Sequence, residues 1–353
     1  MTASPVEISW FAALCDDDYE FLGVPDPALL SSWEHCRGIA LAAEEAGYDN
    51  ILLPSGYALG IDSVAFAAGL APIIRRMRLL LAVRLGEMWV PQLARQLATI
   101  DRMLDGRLTV NIISSDLPGQ TLESAPRYRR TLEIMRALRA LLHGERVDVD
   151  GEFVSLHLDP PRITAAGPAP FYFGGMSEAA REVAAAAADV FLMWPDTLPH
   201  VADTLADLRR RADAHGRTLR FGYRAHVIVR ETEAEARAAA ARLLSRLDPA
   251  TGEQVRARSL DTGSAGVAAQ VALREGADDE GYAEPNLWTG IGRARSGAGA
   301  AIVGDPDQVL AKLEAYRELG IESFILSGYP HRAEADLFAR YVLPRLEHGP
   351  LRF

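Results

Sequence analysis

Arg224 and His226 lie two residues apart in the apolar run RFGYRAHVIV, residues 220–229. If this run is a β-strand, its period of two points both side chains to one face. An arginine inside a barrel of strands is costly to bury unless it meets an anion, so the pair indicates a ligand with a carboxylate, phosphate or sulfonate. An ion pair with a carboxylate on a neighbouring strand would explain the arginine equally well.

Tyr329 and His331 flank a proline in LSGYPH, directly after the apolar residues SFI. Parallel α/β folds collect their chemistry at the carboxyl ends of the strands, so we expect both side chains to face that mouth. Of the eight histidines, only His226 and His331 fall at the ends of predicted strands.

The stretch PFYFGGMSEAA places two glycines and a serine between a strand and a helix. Glycines allow close backbone approach, and the first turn of a helix offers free N–H groups to a phosphate. The acidic cluster CDDDYE, residues 15–20, follows the first strand and is predicted to be a solvated loop, with a position at the mouth as the alternative. Trp10 and Trp194 are predicted to fill layers of the core.

Apolar runs alternate with stretches of helical spacing along the chain. The predicted strands are 7–14, 50–54, 79–84, 108–113, 171–175, 190–194, 220–229 and 323–327. The predicted helices are 33–46, 62–73, 91–104, 126–142, 177–187, 200–215, 232–246, 306–318 and 332–345. Continuous apolar strands joined by helices indicate a parallel sheet that is buried on both faces.

The segments EEAGYDNILLP and RELGIESFILS both indicate a helix, a glycine stop and a strand. Eight such units predict an α/β fold of the (β/α)8 TIM-barrel type, a single domain over residues 1–353. An open doubly wound sheet is the alternative, weakened because no G-x-G-x-x-G follows the first strand. Residues 143–170 predict a hairpin excursion, and the glycine-rich residues 247–304 predict a mobile active-site lid. A surface insertion without a role is the other interpretation of that segment.

Composition narrows the classes of function. A formal charge of −11 argues against nucleic-acid binding. The sequence contains no signal peptide and no apolar run that could span a membrane, so a cytoplasmic protein is expected. Two cysteines are too few for a disulfide framework, and no H-E-x-x-H, cysteine pair or histidine cluster predicts a metal.

Several long motifs together resemble one family. NLWTGIGRARSGAGAAIVG and GIESFILSGYPH, with RFGYRAHVIVRETEAEA, PFYFGGMSEAAREVAAAAADVFLMW and ARQLATIDRMLDGRLTVNI, resemble the bacterial luciferase-like, flavin-dependent monooxygenases. Within that family the closest resemblance is to the alkanesulfonate monooxygenases of sulfur metabolism. The resemblance implies a TIM barrel that receives reduced FMN from a separate NAD(P)H-dependent FMN reductase, uses O₂, and releases sulfite and an aldehyde from a small organosulfonate. It also implies a homodimer or homotetramer, with the helices beside the first strands as the dimer face.

The resemblance assigns roles by position. The residues that match the family's active-site positions are Arg224, His226, Trp194, Tyr329, His331 and, in its lid, Arg295. Those that match its flavin-binding positions are Gly175, Met176, Ser177, Tyr128 and Asn111. The two arginines would hold the sulfonate, and His226 would be the acid or base, because an unperturbed imidazole has a pKa of about 6.5.

Three loops depart from the alkanesulfonate monooxygenase pattern. PSGYALGID, residues 54–62, lacks the family's cysteine and is one residue longer, while NIISSDLPGQ and LGEMWVPQ differ in sequence. The substrate is therefore open. The alternatives are the same FMN and O₂ chemistry on an amine, sulfone or secondary metabolite, a deazaflavin-dependent dehydrogenase, and a flavin-binding protein without turnover.

Overall fold

The computed structural model describes residues 5–257 and 263–353. Its strands are β1 (Glu7–Phe11), β2 (Asn50–Leu53), β3 (Arg78–Arg84), β4 (Leu108–Ile113), β5 (Val147–Asp150), β6 (Ser155–Leu158), β7 (Phe171–Phe173), β8 (Val190–Met193), β9 (Arg220–Val229), β10 (Tyr282–Glu284), β11 (Leu287–Trp288), β12 (Ala301–Gly304) and β13 (Ser323–Ser327). Its α-helices are α1 (Trp33–Ala46), α2 (Ser63–Leu70), α3 (Val90–Met103), α4 (Ser124–Leu142), α5 (Glu178–Ala187), α6 (Leu198–Ala214), α7 (Glu233–Leu244), α8 (Pro249–Ala257), α9 (Ala265–Glu275), α10 (Pro306–Leu319) and α11 (His331–Tyr341).

Eight parallel strands close into a barrel, which confirms the predicted TIM barrel. The order around it is β13, β1, β2, β3, β4, β7, β8 and β9, and β9 pairs back to β13. The first strand is shorter than predicted, because the backbone leaves the sheet after Phe11 and turns through Asp16, whose φ is 49°. None of the helices in the described residues is long and apolar enough to cross a membrane.

Alternation along the strands separates two apolar layers. Trp10 points outward and packs on Tyr48 and Phe338, with ring centroids 5.2 and 6.5 Å away, so its predicted core position is confirmed. Phe11 and Ile325 belong to a separate cluster inside the barrel. Alternate residues of each strand therefore face the surrounding helices or the barrel lumen. Side chains in the register of Phe11 face the lumen.

The amino-terminal end of the barrel is filled by a hydrogen-bonded group. Tyr172 Oη and Ser323 Oγ donate to Glu7 Oε1 at 2.7 and 2.9 Å, and the backbone N–H of Leu351 donates to the other carboxylate oxygen at 3.3 Å. Burial raises the pKa of Glu7 despite these bonds. These side chains fill the amino-terminal end of the barrel, so an active site is expected at the carboxyl ends of the strands.

The two helix-to-strand connections that share a sequence pattern are determined by local signals. Gly47 and Gly320 end α1 and α10 with φ of 93° and 112°, a left-handed conformation that glycine adopts without strain. Each is followed within three residues by a strand, β2 or β13, as the repeated sequence pattern predicted.

Both insertions have secondary structure. Residues 147–158 form the predicted hairpin, in which β5 pairs antiparallel with β6. The predicted lid segment contains α8, α9 and the β10–β11 hairpin. Its last residues form β12, which pairs parallel with β9. The strand β12, residues 301–304, thus joins the barrel sheet although it lies within the predicted lid segment. Residues 258–262 of that segment lie outside the described residues, and its mobility remains a prediction.

Candidate active site at the carboxyl ends of the strands

Arg224 lies in the lumen at the middle of β9 and is 3% exposed. Its Nη1 donates to the carbonyls of Ala225 at 2.6 Å and Ile325 at 3.4 Å, while Nη2 is buried without a hydrogen bond. In the described chain no carboxylate forms an ion pair with it, so the ion-pair interpretation is not supported. Burial and the neighbouring Arg295 lower the pKa of Arg224 to about 9, and the side chain stays cationic at neutral pH.

His226, the next lumen-facing residue of β9, is fully buried. Its Nδ1 lies 2.8 Å from Ser327 Oγ, and its ring centroid is 5.0 Å from that of Tyr329. Burial, then Arg224 and Arg295, lower the pKa of His226 well below its usual value. The expectation of an unperturbed imidazole was therefore wrong: two adjacent cations in a desolvated pocket keep this ring neutral.

Arg295 comes from the insertion and closes over the same end. Its Nη1 donates to Asp17 Oδ2 at 2.6 Å and to Tyr329 Oη at 2.8 Å. Burial opposes its charge, but Tyr329 and Asp17 outweigh that effect and raise the pKa of Arg295. The insertion is thus tied to the loop after β1 and to the loop after β13.

Phe11 lies between the cationic groups. The guanidinium carbons of Arg224 and Arg295 are 4.3 and 5.4 Å from its ring centroid, and the His331 ring stacks on it at 5.5 Å. Aromatic faces attract cations, so Phe11 helps to hold two like charges at one mouth. Sequence patterns gave no reason to single out this residue.

His331 begins α11 and is fully buried at the mouth, as predicted. Its backbone N–H donates to Asp18 Oδ1 at 2.9 Å, and its Nε2 lies 3.3 Å from the carbonyl oxygen of Asp17. Asp18 is 4% exposed and its other oxygen is 2.9 Å from His35 Nε2. The acidic cluster after β1 is therefore not the predicted solvated loop. The sequence signal for this placement is the position of the cluster directly after a barrel strand.

Several buried polar atoms at this mouth have no hydrogen-bond partner of good geometry. They are Arg224 Nη2, His226 Nε2, Arg295 Nε, His331 Nδ1 and Asp17 Oδ1. Buried polar groups are normally paired, so a cluster of exceptions marks the place of a missing ligand. Two of the groups are guanidinium N–H donors, which suit an anion. A cavity of about 240 Å³ adjoins them, lined by Arg295, Tyr329 and the loops after β1 and β2.

Trp194 lies at the rim of the site, half-buried, rather than in the core. Atoms of its ring lie 3.0 Å from the Cβ position of Gly266 and 3.6 Å from that of Gly297. Arg295 Nε is 4.0 Å from the same point at Gly297, so the indole and the guanidinium flank one glycine. Trp194 thus holds the insertion near Arg295, and its predicted place in a core layer was wrong.

The predicted flavin-phosphate residues form a second, compact group beside the mouth. A Cβ at Gly175 would lie 2.6 Å from Ala180 Cβ and 3.2 Å from Tyr128 Oη. Ser177 caps α5 by accepting the N–H of Ala180, and Met176 packs half-buried against the core. The glycine therefore brings the tyrosine hydroxyl to the start of a helix.

Charge at this second group suits a phosphate. Arg127 lies over the Tyr128 ring at 5.4 Å. Its Nη1 pairs with Asp116 at 3.2 Å, whereas its Nε is buried without a hydrogen bond. Glu178 in the first helical turn points toward Arg211, 3.8 Å away. Asn111, on the strand that pairs with β7, faces the lumen in register with Ala82 and Tyr172. The residues present thus fit the phosphate and ring of FMN. In the described chain no group of three or more His, Cys, Asp or Glu side chains is placed to hold a metal.

The chain is similar to known proteins over most of its length. The family model for luciferase-like monooxygenases matches residues 20–323. The sulfoquinovose monooxygenase of Novosphingobium aromaticivorans is 64% identical over 360 residues, covering 99% of each chain, and that of Agrobacterium fabrum is 52% identical over 345 residues, covering 97% of this chain and 90% of its own. The fold of a riboflavin lyase solved with modified FMN and riboflavin is similar at a TM-score of 0.78, with 16% identity over 97% of this chain and 91% of that one. The chain therefore belongs to the luciferase-like monooxygenase family and is a flavin-dependent monooxygenase.

Proposed function

We propose that this protein uses reduced FMN and O₂ to cleave the carbon–sulfur bond of a sulfonated sugar of the sulfoquinovose type. The observation that carries the proposal is the pair of buried arginines, Arg224 and Arg295, whose free N–H groups face one mouth. The names of the two curated relatives support a sugar sulfonate as the substrate. The overall reaction balances as R–CH₂–SO₃⁻, O₂ and FMNH₂ giving R–CHO, HSO₃⁻, FMN and H₂O.

The cofactor proposal rests on the group around Gly175. Tyr128, Arg127 and the N–H groups at the start of α5 would hold the phosphate, and Asn111 would meet the ring. Bound reduced FMN would supply the two electrons that activate O₂. The chain's own residues would position the substrate and handle its proton.

The charge and protonation state of each residue at the mouth suggest its role in the reaction. Arg224 and Arg295 would bind the sulfonate and offset the negative charge that grows as sulfite leaves. Neutral His226 would accept the proton from the carbon that carried the sulfonate. Tyr329, fixed by Arg295, and His331 would hydrogen-bond the reacting groups, while Trp194 would help the insertion exclude water.

A separate NAD(P)H-dependent FMN reductase is the proposed partner. We also propose a homodimer or homotetramer, built through the helices beside the first strands. Met103 and Ile163 are 40% and 49% exposed and line a hollow of about 480 Å³ against α3. Burial of such apolar side chains is a common reason for association. Analytical ultracentrifugation tests this, and a monomer at micromolar concentration would contradict it.

The decisive experiment assays sulfite. Reduced and oxidised FMN are titrated into the purified protein without oxygen, and the complex is then mixed with O₂ and either sulfoquinovose or straight-chain alkanesulfonates. We expect preferential binding of reduced FMN and sulfite release from the sugar. Binding of reduced FMN without sulfite from any sulfonate would reject desulfonation and direct the search to amine or sulfone substrates.

A further inference from the structure

Within the described residues, only one of the two carboxylate oxygens of Asp17 accepts a hydrogen bond. Its Oδ2 accepts from Arg295 at 2.6 Å, whereas Oδ1 is buried and has no hydrogen-bond partner. Burial favours the neutral acid, but Arg295 and then His331 outweigh it and lower the pKa of Asp17. The group is therefore ionised at neutral pH and can only accept hydrogen bonds.

The neighbouring acids do not share this feature. Asp16 accepts from the backbone N–H of Ser31 at 2.8 Å and, with its other oxygen, from Gly60 at 3.0 Å. Asp18 likewise uses both oxygens, on His331 and His35. Asp16 and Asp18 thus hold the loop together, and Asp17 is the acid of the three whose second oxygen is left for something else.

Asp17 is one of the residues that line a cavity at the mouth. Asp17, Arg295 and Tyr329 line the space of about 240 Å³ at the mouth, and the loop after β2 lines its other side with Ser55 and Tyr57. A buried carboxylate oxygen without a donor is unfavourable, and the hydrocarbon of an alkanesulfonate has no hydrogen to donate to it. A hydroxyl group has one.

We propose that Asp17 is a specificity-determining residue: its Oδ1 accepts a hydrogen bond from a hydroxyl of the substrate whose sulfonate is bound by Arg295. The inference rests on the proposed function and adds the reason for its substrate class. The Asp17–Arg295 pair presents one acceptor and one cationic donor, Arg295 Nε, and so matches a molecule that carries a sulfonate together with hydroxyl groups. Sites built to bond a hydroxyl reject analogues that lack it far more strongly than apolar pockets reject a missing methylene.

The test compares two six-carbon substrates, sulfoquinovose and hexane-1-sulfonate, by sulfite release. In the unaltered protein we expect kcat/KM for the sugar to exceed that for the alkane by at least about 100-fold. Asp17→Ala should lower this ratio by at least about tenfold, because the acceptor is gone.

Tyr329→Phe is the matched control. It removes the other hydrogen bond to Arg295 Nη1 but no acceptor for the sugar in this proposal, so both kcat/KM values should fall together and their ratio should stay within about threefold. A purely structural role of Asp17, acting through Arg295, would likewise leave the ratio unchanged in Asp17→Ala and would overturn the proposal. If Asp17→Ala does not fold, Asp17→Ser removes the same carboxylate, and the same fall in ratio is expected.

The same assay distinguishes failure of the Asp17 proposal from failure of the proposed function. Sulfite from both substrates with similar kcat/KM in the unaltered protein would reject the role of Asp17 and keep desulfonation. Sulfite from neither would reject the proposed function itself.

Discussion

Arg295 Nη1 lies 2.6 Å from Asp17 Oδ2 and 2.8 Å from Tyr329 Oη, so one guanidinium joins three segments that are far apart in sequence. The insertion thereby contributes its charge to a mouth otherwise built from strand ends. Because the arginine is held on one edge only, its Nε remains free to meet an anion.

Replacement of Arg295 should therefore affect the sulfonate directly. In Arg295→Met we expect kcat/KM for sulfite release to fall about 10- to 150-fold, which corresponds to the roughly 1.5–3 kcal/mol of a hydrogen bond to a charged group. Arg129→Met is the control, since Arg129 pairs with Glu152 on the surface and should change the rate by less than about twofold. Unchanged kcat/KM in Arg295→Met would remove this residue from the site.

Gly175 should be intolerant of a side chain. A methyl group there would meet Ala180 Cβ at 2.6 Å and crowd the Tyr128 hydroxyl. Relief of this overlap would displace the start of α5 or the Tyr128 hydroxyl, so Gly175→Ala should raise the Kd for reduced FMN at least about fivefold, or about 1 kcal/mol, in an anaerobic fluorescence titration. Gly38→Ala, in α1 with nothing within 4 Å of the added group, should leave the Kd unchanged. Equal affinity in both variants would place the phosphate elsewhere.

Gln270 fastens the insertion to the barrel. Its Nε2 donates to the carbonyl of Pro195 at 2.8 Å, and its Oε1 accepts the N–H of Gly299 at 2.9 Å. Gln270→Ala should admit water and raise the H₂O₂ formed per sulfite by at least about twofold, measured in the coupled assay with reductase. The exposed Gln120→Ala should not. No rise in Gln270→Ala would argue that the seal does not depend on this clamp.

Acid should destabilise the fold through His226. Its pKa is lowered in the folded state, so between that value and the unfolded value of about 6.5 the unfolded chain binds the extra proton, and the free energy of unfolding falls as pH falls. The stability linked to this residue is complete above the unfolded pKa. In His226→Gln we expect the slope of stability with pH below 6.5 to lessen by up to about 1.4 kcal/mol per pH unit.

Urea unfolding at several pH values measures that slope. The difference between His226→Gln and the unaltered protein at pH 8 reports the changed packing and the changed contact with Ser327, and it serves as the internal reference. A difference that stays constant from pH 8 to pH 5.5 would show that His226 is not held neutral.

The sequence alone determined the barrel. Continuous apolar strands, helices of suitable length and glycine stops such as Gly47 and Gly320 are local signals, and each fixes a neighbouring stretch of backbone. The period of two also sufficed to place Arg224 and His226 in one lumen. Long matching motifs, rather than any single residue, then carried the resemblance to the family.

Only the tertiary structure decided how charges meet at the mouth. Asp17 and Arg295 are 278 residues apart, and nothing in CDDDYE distinguishes the acid that binds an arginine from those that hold a loop. The neutral state of His226 likewise follows from burial beside two guanidinium groups, which are brought together by β9 and the insertion. Pairing and desolvation depend on distances between segments remote in the chain, and local sequence does not encode those distances.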